Sequence, residues 1–307
     1  MTGTALPRRH FLKTTAAVSA LTALPFGRAF AQSPIFGVIP KTGERIPAIG
    51  MGTWVTFNVG NDAKLRDNCA EVTRTFLELG GGMIDSSPMY GSAEDVIGYS
   101  LGKTGHSKGL FSATKVWTPV SWHGERQVDT SFELWGVPTF DLFQVHNLLN
   151  VDDHLSMLRE QKQAGRIRYI GITTSHGMRH EDMAKVMQRA DIDFVQLTYN
   201  AVDREAEARL LPMATDLGIA VIANRPYRRS SLIDAVQRHP LPDWAADAGA
   251  ANWPEFLLKF TISHPAITCT IPATSQVQHM RENKAAMHGP LPDPAMRKRM
   301  AAYVEAL

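Results

Sequence analysis

Met83-Ile84-Asp85-Ser86-Ser87-Pro88-Met89-Tyr90-Gly91 decides how the rest of the chain is read. Gly80, Gly81 and Gly82 precede it and supply a turn. A short apolar strand follows and ends on an aspartate. Five residues later a tyrosine sits in a bend punctuated by proline and glycine. A carboxylate at the C-terminal end of a strand, with a phenol in the next loop, is where an α/β enzyme places polar chemistry.

Outward from this stretch the pattern repeats. Residues 34–48 read as a small hairpin turning at Lys41-Thr42-Gly43-Glu44. Residues 48–53 read as a first buried strand ending at Trp54. Leu65, Cys69, Val72, Phe76 and Leu77 recur at helical spacing, and Gly80 stops that helix. Ser92 is an expected N-cap for the helix carrying Val96, Ile97 and Leu101. Apolar strands are then expected at 110–116, 141–146, 168–173, 194–199, 219–224 and 266–271. Helices are expected at 125–135, 152–164, 180–189, 204–217, 253–263, 276–286 and 293–305, with a short helical piece near 231–238.

Eight short apolar strands alternating with helices argue for parallel strands covered on both faces. Eight such units in about 270 residues predict an α/β fold of the (β/α)8 TIM-barrel type. The hairpin would be an N-terminal addition, with an extra helix at the C-terminus. The long connection from Arg225 to Ala251 suggests a substrate or cofactor loop.

The first residues follow a different logic. Pro7-Arg8-Arg9-His10-Phe11-Leu12-Lys13 leads into an alanine-rich run to Phe26, then Ala29-Phe30-Ala31. This is the layout of an export leader, and the adjacent arginines favour the twin-arginine type. Residues 1–31 are expected to be the signal peptide and 32–307 the barrel domain. The apolar run is too short to span a bilayer, so no stable membrane insertion is expected. The expected partner of the precursor is the twin-arginine export machinery, and the expected location is the periplasm or beyond.

The 307 residues are 44% hydrophobic, enough for a large core. Formal net charge is +2. Arg8, Arg9, Lys13 and Arg28 all lie in the leader, which has no acidic residue. The rest of the chain therefore holds 28 basic and 30 acidic residues. That balance does not favour a nucleic-acid partner. Cys69 and Cys269 are too few for a disulfide framework and read as buried thiols. No zinc signal accompanies them, and no metal is expected.

In a barrel, Asp85, Lys115 and His146 close three successive strands and converge with Tyr90 at the C-terminal mouth. A lysine inside Ala113-Thr114-Lys115-Val116 is costly unless paired, and Asp85 is its natural partner. The ammonium would lower the phenol's pKa from ~10 by favouring phenolate. Tyr90 would then act as general acid toward a carbonyl oxygen, or as base in reverse. A neutral His146 would orient that oxygen.

These motifs resemble the aldo/keto reductase family across residues ~34–305. The matching stretches are Ile84–Gly91, Thr114-Lys115, Val145-His146, Gly165–Gly171, Gln196–Asn200 and Ile271–Thr274. The resemblance implies a tetrad of Asp85, Tyr90, Lys115 and His146, with NADP(H) or NAD(H) as the hydride carrier. There is no Gly-x-Gly-x-x-Gly turn, so a Rossmann site is not implied. The resemblance places Gln196 at the nicotinamide carboxamide, with Thr173-Thr174 where the family usually carries Ser-Asn. Tyr227 falls near the position of a nicotinamide-stacking aromatic, and Arg225 near the pyrophosphate. Thr274 and Asn283 match phosphate and adenine contacts, with Glu282 alongside. The usual 2′-phosphate cations correspond to Ala273 and His279, whereas Arg281 and Lys284 lie close enough in sequence to replace them. Trp54, Phe57, Trp117 and Trp122 are the expected walls of a pocket for a small carbonyl or alcohol substrate with an apolar or planar part. A cofactor-binding regulatory subunit with little turnover is the competing reading. A barrel hydrolase would leave Lys115 and Tyr90 unexplained.

Overall fold

The computed structural model describes residues 33–105 and 109–307. The export leader lies outside the described residues. A hairpin, β1 (Phe36–Val38) and β2 (Arg45–Pro47), opens the described chain. The barrel follows as β3 (Met51–Gly52), α1 (Ala63–Glu78), β4 (Gly82–Asp85), α2 (Ala93–Thr104), β5 (Leu110–Val116) and α3 (Ser121–Trp135). It continues through β6 (Phe140–His146), α4 (Val151–Gln163), β7 (Ile167–Thr173), α5 (His180–Arg189) and β8 (Phe194–Thr198). α6 (Leu210–Asp216), β9 (Ala220–Asn224), α7 (Ser231–Val236), α8 (Trp253–Ile262) and β10 (Ile267–Thr270) complete the ring. α9 (Val277–Ala285) and α10 (Pro294–Glu305) end the chain.

β3 to β10 form one parallel sheet in sequence order. Parallel bridges from Ile49 to Thr270 and from Gly52 to Ala273 join its two edges. Gly50 N–H donates to Thr270 O at 2.8 Å, and Thr270 N–H to Ala48 O at 2.9 Å. The seam needs its glycines. A Cβ on Gly50 would lie 2.7 Å from Met83 O, and one on Gly52 2.8 Å from Ile271 O. The expected (β/α)8 barrel is therefore the observed fold, closed without free sheet edges.

Apolar side chains pack in two layers. Inside the ring, Met83, Phe111, Leu142, Phe194 and Ile222 meet Ile39 and Ile46 of the hairpin region. The hairpin's contribution to this inner cluster places it at the N-terminal end of the strands. Outside, the strands' other faces meet the helices in a larger cluster. This split follows from strand alternation, which sends successive side chains to opposite faces. Both cysteines are buried and unpaired. Burial pushes their thiols up, to about 11 at Cys69 and about 12 at Cys269.

Three local expectations change. The helix expected over 204–217 is divided into a 3-10 turn, Glu205–Ala208, and α6, because Arg209 leaves helical geometry with φ −146°. α3 begins four residues earlier than periodicity suggested, at Ser121. Ser92 occupies the N-cap position of α2 but makes no capping bond. Its hydroxyl instead accepts from Gly60 N–H and donates to Asn58 Oδ1.

Candidate active site

The site is built from strand ends. Asp85 is the last residue of β4, Lys115 the penultimate residue of β5, and His146 the last residue of β6. Tyr90 closes a single 3-10 turn, Pro88–Tyr90, immediately after β4. Proline at the start of that turn fits its missing N–H donor. Asp85, Lys115 and His146 are all buried.

Lys115 Nζ donates to Asp85 Oδ2 at 2.6 Å and to Ser86 O at 2.6 Å. Asp85 Oδ1 accepts from Gln144 Nε2 at 3.0 Å and Gln196 Nε2 at 2.9 Å. The carboxylate is thus satisfied on both oxygens, which a buried ion pair requires. Lys115 Nζ lies 5.1 Å from the centre of the Tyr90 ring. The Tyr90 and His146 rings meet edge to face, with centroids 5.9 Å apart. The four residues singled out in the sequence therefore form one contiguous cluster.

Charge states follow from burial and neighbours. Burial works against the Lys115 ammonium, but Asp85 and Tyr90 outweigh it, so the lysine pKa rises and the charge is held. Burial and then the charge of Lys115 push His146 down to about 3, leaving a neutral imidazole near neutral pH. Tyr90 departs from expectation. Lys115 does favour its phenolate, but burial outweighs that pull and Asp85 adds to it, so the phenol's pKa is raised. Tyr90 is held protonated rather than poised to ionise.

Sequence reasoning missed three residues here. Gln144 registers beside Lys115 and braces Asp85. Its signal was available: Leu142, Gln144 and His146 alternate onto one strand face, so a glutamine there points where His146 points. Ser87 Oγ lies 2.9 Å from His146 Nδ1. Glu94, in the first turn of α2, is buried and accepts from Thr114, Ser131 and Trp135. Burial raises its pKa, and these donors pull the other way.

Around the tetrad lies a polar arc. Thr173 Oγ1 donates to Gln196 Oε1 at 3.1 Å. Asn224 Nδ2 donates to Thr174 O at 2.9 Å. Thr174 Oγ1 is buried and, among the described residues, has no hydrogen-bond partner; the same holds for Arg225 Nε and Nη1. Arg225 follows β9 with φ 55°. Thr274 Oγ1 accepts from Gln276 N–H at 3.0 Å. Apart from this arc, on the exposed side of α9, Gln278 Nε2 donates to Glu282 Oε1 at 3.1 Å.

Other expected contacts sit differently. Tyr227 O–H donates to Asn283 Oδ1 at 2.7 Å. That bond groups it with Asn283, expected at the adenine end, and not with the nicotinamide end. Lys284 is buried and donates to Gly81 O at 2.7 Å and Ile49 O at 3.2 Å. Gly81 lies at the opposite strand end from the tetrad, so Lys284 cannot replace a phosphate-gripping cation. Phe57 is fully buried in the core and is not a pocket wall. Trp117 and Trp122 remain 40% and 62% exposed. Trp54 is half-buried, with the Arg229 guanidinium 4.1 Å from its ring centre.

Comparison with known proteins agrees with this architecture. A profile of the aldo/keto reductase family matches residues 48–303, and one for a twin-arginine translocation pathway signal sequence matches residues 5–25. The chain belongs to the aldo/keto reductase family, which places it among the NAD(P)-dependent oxidoreductases. It carries a signal for export by the twin-arginine pathway. Aldo-keto reductase YhdN of Bacillus subtilis (strain 168) is 29% identical over 204 residues, spanning 60% of this chain and 59% of that protein. Methylglyoxal reductase YeaE of Escherichia coli (strain K12) is 26% identical over 253 residues, spanning 79% and 86%. An aldo/keto reductase from Klebsiella pneumoniae, solved with NADP and acetate, superposes with a TM-score of 0.74 at 22% identity, covering 87% of this chain and 95% of that one. Among the described residues, no helix is long and apolar enough to cross a membrane.

Proposed function

We propose that the protein interconverts an aldehyde or ketone and its alcohol, using NADP(H) or NAD(H), with Tyr90 as the general acid or base. One observation carries this reading: a fully buried lysine, kept charged by Asp85, faces a protonated tyrosine beside a neutral histidine. That set suits proton donation to a carbonyl oxygen. The raised pKa of Tyr90 keeps the donor form filled at neutral pH, as proton donation to a carbonyl oxygen requires.

The residues present suit such a cofactor. The unpartnered Arg225 nitrogens match an anionic phosphate, and the unpartnered Thr174 hydroxyl matches a polar amide or ribose group. Thr173 and Gln196 would flank that amide, and Thr274, Glu282 and Asn283 would hold the adenosine part. Bound nicotinamide would supply or accept the hydride. The chain's own task is to place the carbonyl oxygen between Tyr90 and His146 and to hold the proton on Tyr90. Trp54, Trp117 and Trp122 would cover an apolar or planar part of the substrate. We further propose that residues 1–31 are removed on export and that 32–307 form the working enzyme.

Tyr90→Phe is the direct test. It should leave cofactor binding, followed by fluorescence quenching, within about twofold, while carbonyl-dependent oxidation of reduced cofactor falls about 10²–10⁴-fold. Wild-type protein that binds cofactor yet turns over no carbonyl would favour the regulatory-subunit reading instead.

A further inference from the structure

We infer that Ser87 is a positioning residue that fixes His146 as the tautomer protonated on Nε2 while setting the turn that carries Tyr90. What the Nε2 proton is used for rests on the carbonyl chemistry proposed above; the tautomer itself does not.

The argument is a count of donors and acceptors around one buried hydroxyl. Ser87 is fully buried. Its Oγ lies 3.2 Å from Met89 N and 2.9 Å from His146 Nδ1. A backbone amide can only donate, so Oγ accepts from Met89. A hydroxyl has one hydrogen to give and two lone pairs to receive. If Nδ1 carried the imidazole proton, both lone pairs would be taken and the hydroxyl hydrogen would be stranded in a buried site. Leaving a buried donor unmade is costly. If Nδ1 is bare, the serine donates to it and every group is satisfied. The proton of the neutral ring then sits on Nε2.

Nε2 has no hydrogen-bond partner among the described residues, so its N–H is free to meet an incoming oxygen. The opposite tautomer would present a lone pair there and repel a carbonyl. Ser87 acts on Tyr90 as well. Its carbonyl accepts from Tyr90 N–H at 2.9 Å, and its hydroxyl caps the 3-10 turn through Met89. One serine thus sets the imidazole's donor side and the backbone position of the phenol, two groups meant for the same oxygen.

Two measurements on the purified protein test this, the first without cofactor and the second with reduced cofactor supplied. The first is a long-range ¹H–¹⁵N correlation spectrum of uniformly labelled protein. The His146 signals would be picked out from those of the 11 histidines by their loss in His146→Gln. We expect Nδ1 to resonate as the bare nitrogen and Nε2 as the protonated one. A protonated Nδ1 overturns the inference, whatever the enzyme turns over. The second is kinetic. Ser87→Ala should lower kcat/KM for a carbonyl substrate about tenfold, the worth of one neutral hydrogen bond. Ser87→Thr, which keeps the hydroxyl, should restore it to within about twofold. An unchanged rate in Ser87→Ala, or an equal loss in Ser87→Thr, overturns the positioning role. Should Ser87→Ala fail to fold, the wild-type spectrum and Ser87→Thr still decide. A bare Nδ1 in a protein that turns over no carbonyl would leave the tautomer assigned and defeat the proposed activity instead.

Discussion

Lys115 Nζ lies 2.6 Å from Asp85 Oδ2, with the lysine fully buried and the aspartate 2% exposed. Neither charge can fall back on water if its partner is removed. The lysine therefore serves the fold and the site through the same contact. Gln144 and Gln196 hold the other carboxylate oxygen, so Asp85 cannot turn away from Lys115 without losing both.

Lys115→Met leaves Asp85 charged and buried without its cation. Urea unfolding should show a loss of about 3–5 kcal/mol. Adding Asp85→Asn should recover part of that loss, because the orphaned charge goes with it. A double variant whose loss equals the sum of the single losses would mean the pair is not coupled.

The pH profile of carbonyl reduction should be flat on the acid side. His146 is held near 3, so it loses no proton between pH 5 and 8. Tyr90 must be protonated to donate, and its raised pKa keeps it so at neutral pH. kcat/KM should fall only in alkaline solution as the phenol ionises. An acid limb near pH 6.5 that disappears in His146→Gln would contradict the neutral imidazole.

Lys284 makes stability depend on pH in the opposite sense from a lysine held by an ion pair. Burial lowers its pKa to about 8, below its ordinary value of 10.5. Below pH 8 both folded and unfolded chains hold the proton. Between about 8 and 10.5 the unfolded chain still holds a proton that the folded chain has released, so this group's contribution to stability rises with pH. Relative to Lys284→Met, the wild type should gain roughly 2–3 kcal/mol across that window. A difference that stays constant from pH 7.5 to 10.5 would rule this out.

Two glycines of α2 should respond oppositely to alanine. A Cβ on Gly98 would stand 1.8 Å from Leu134 O, so α2 and α3 would have to separate. Gly98→Ala should cost about 2–3 kcal/mol. Gly102 has nothing within 4 Å of such a Cβ. Gly102→Ala should stabilise by about 0.5–1 kcal/mol through helix propensity. Thermal melts of the two variants should move in opposite directions.

The barrel and the tetrad were legible because both rest on local contrast. Apolar runs of strand length mark the staves, and a charged or aromatic side chain at the end of such a run stands out. What was hidden depends on packing between distant segments. Glu94 lies in the first turn of a helix, and nothing in the local pattern shows that α3 brings Ser131 and Trp135 over it. Phe57 looked like a mouth residue because it follows the first strand. The turn that brings its N–H to Thr53 O folds the ring into the core instead. Tyr227 and Asn283 lie 56 residues apart, and no spacing rule predicts their hydrogen bond. The sign of the Tyr90 shift was missed for the same reason. Neighbouring charge can be read from a motif, whereas the depth of burial cannot.

The bridges from Ile49 to Thr270 and from Gly52 to Ala273 also govern timing. During synthesis the first stave waits for the last one, more than 200 residues later. Until β10 emerges the sheet has two open edges and the site's surrounding wall is incomplete. A chain cut before Thr270 would therefore remain an open sheet, prone to pair with other chains. The twin-arginine signal is made at the very beginning, long before the ring can close. Export as a finished barrel thus requires that the signal be read only after the far end of the chain has been made and seated.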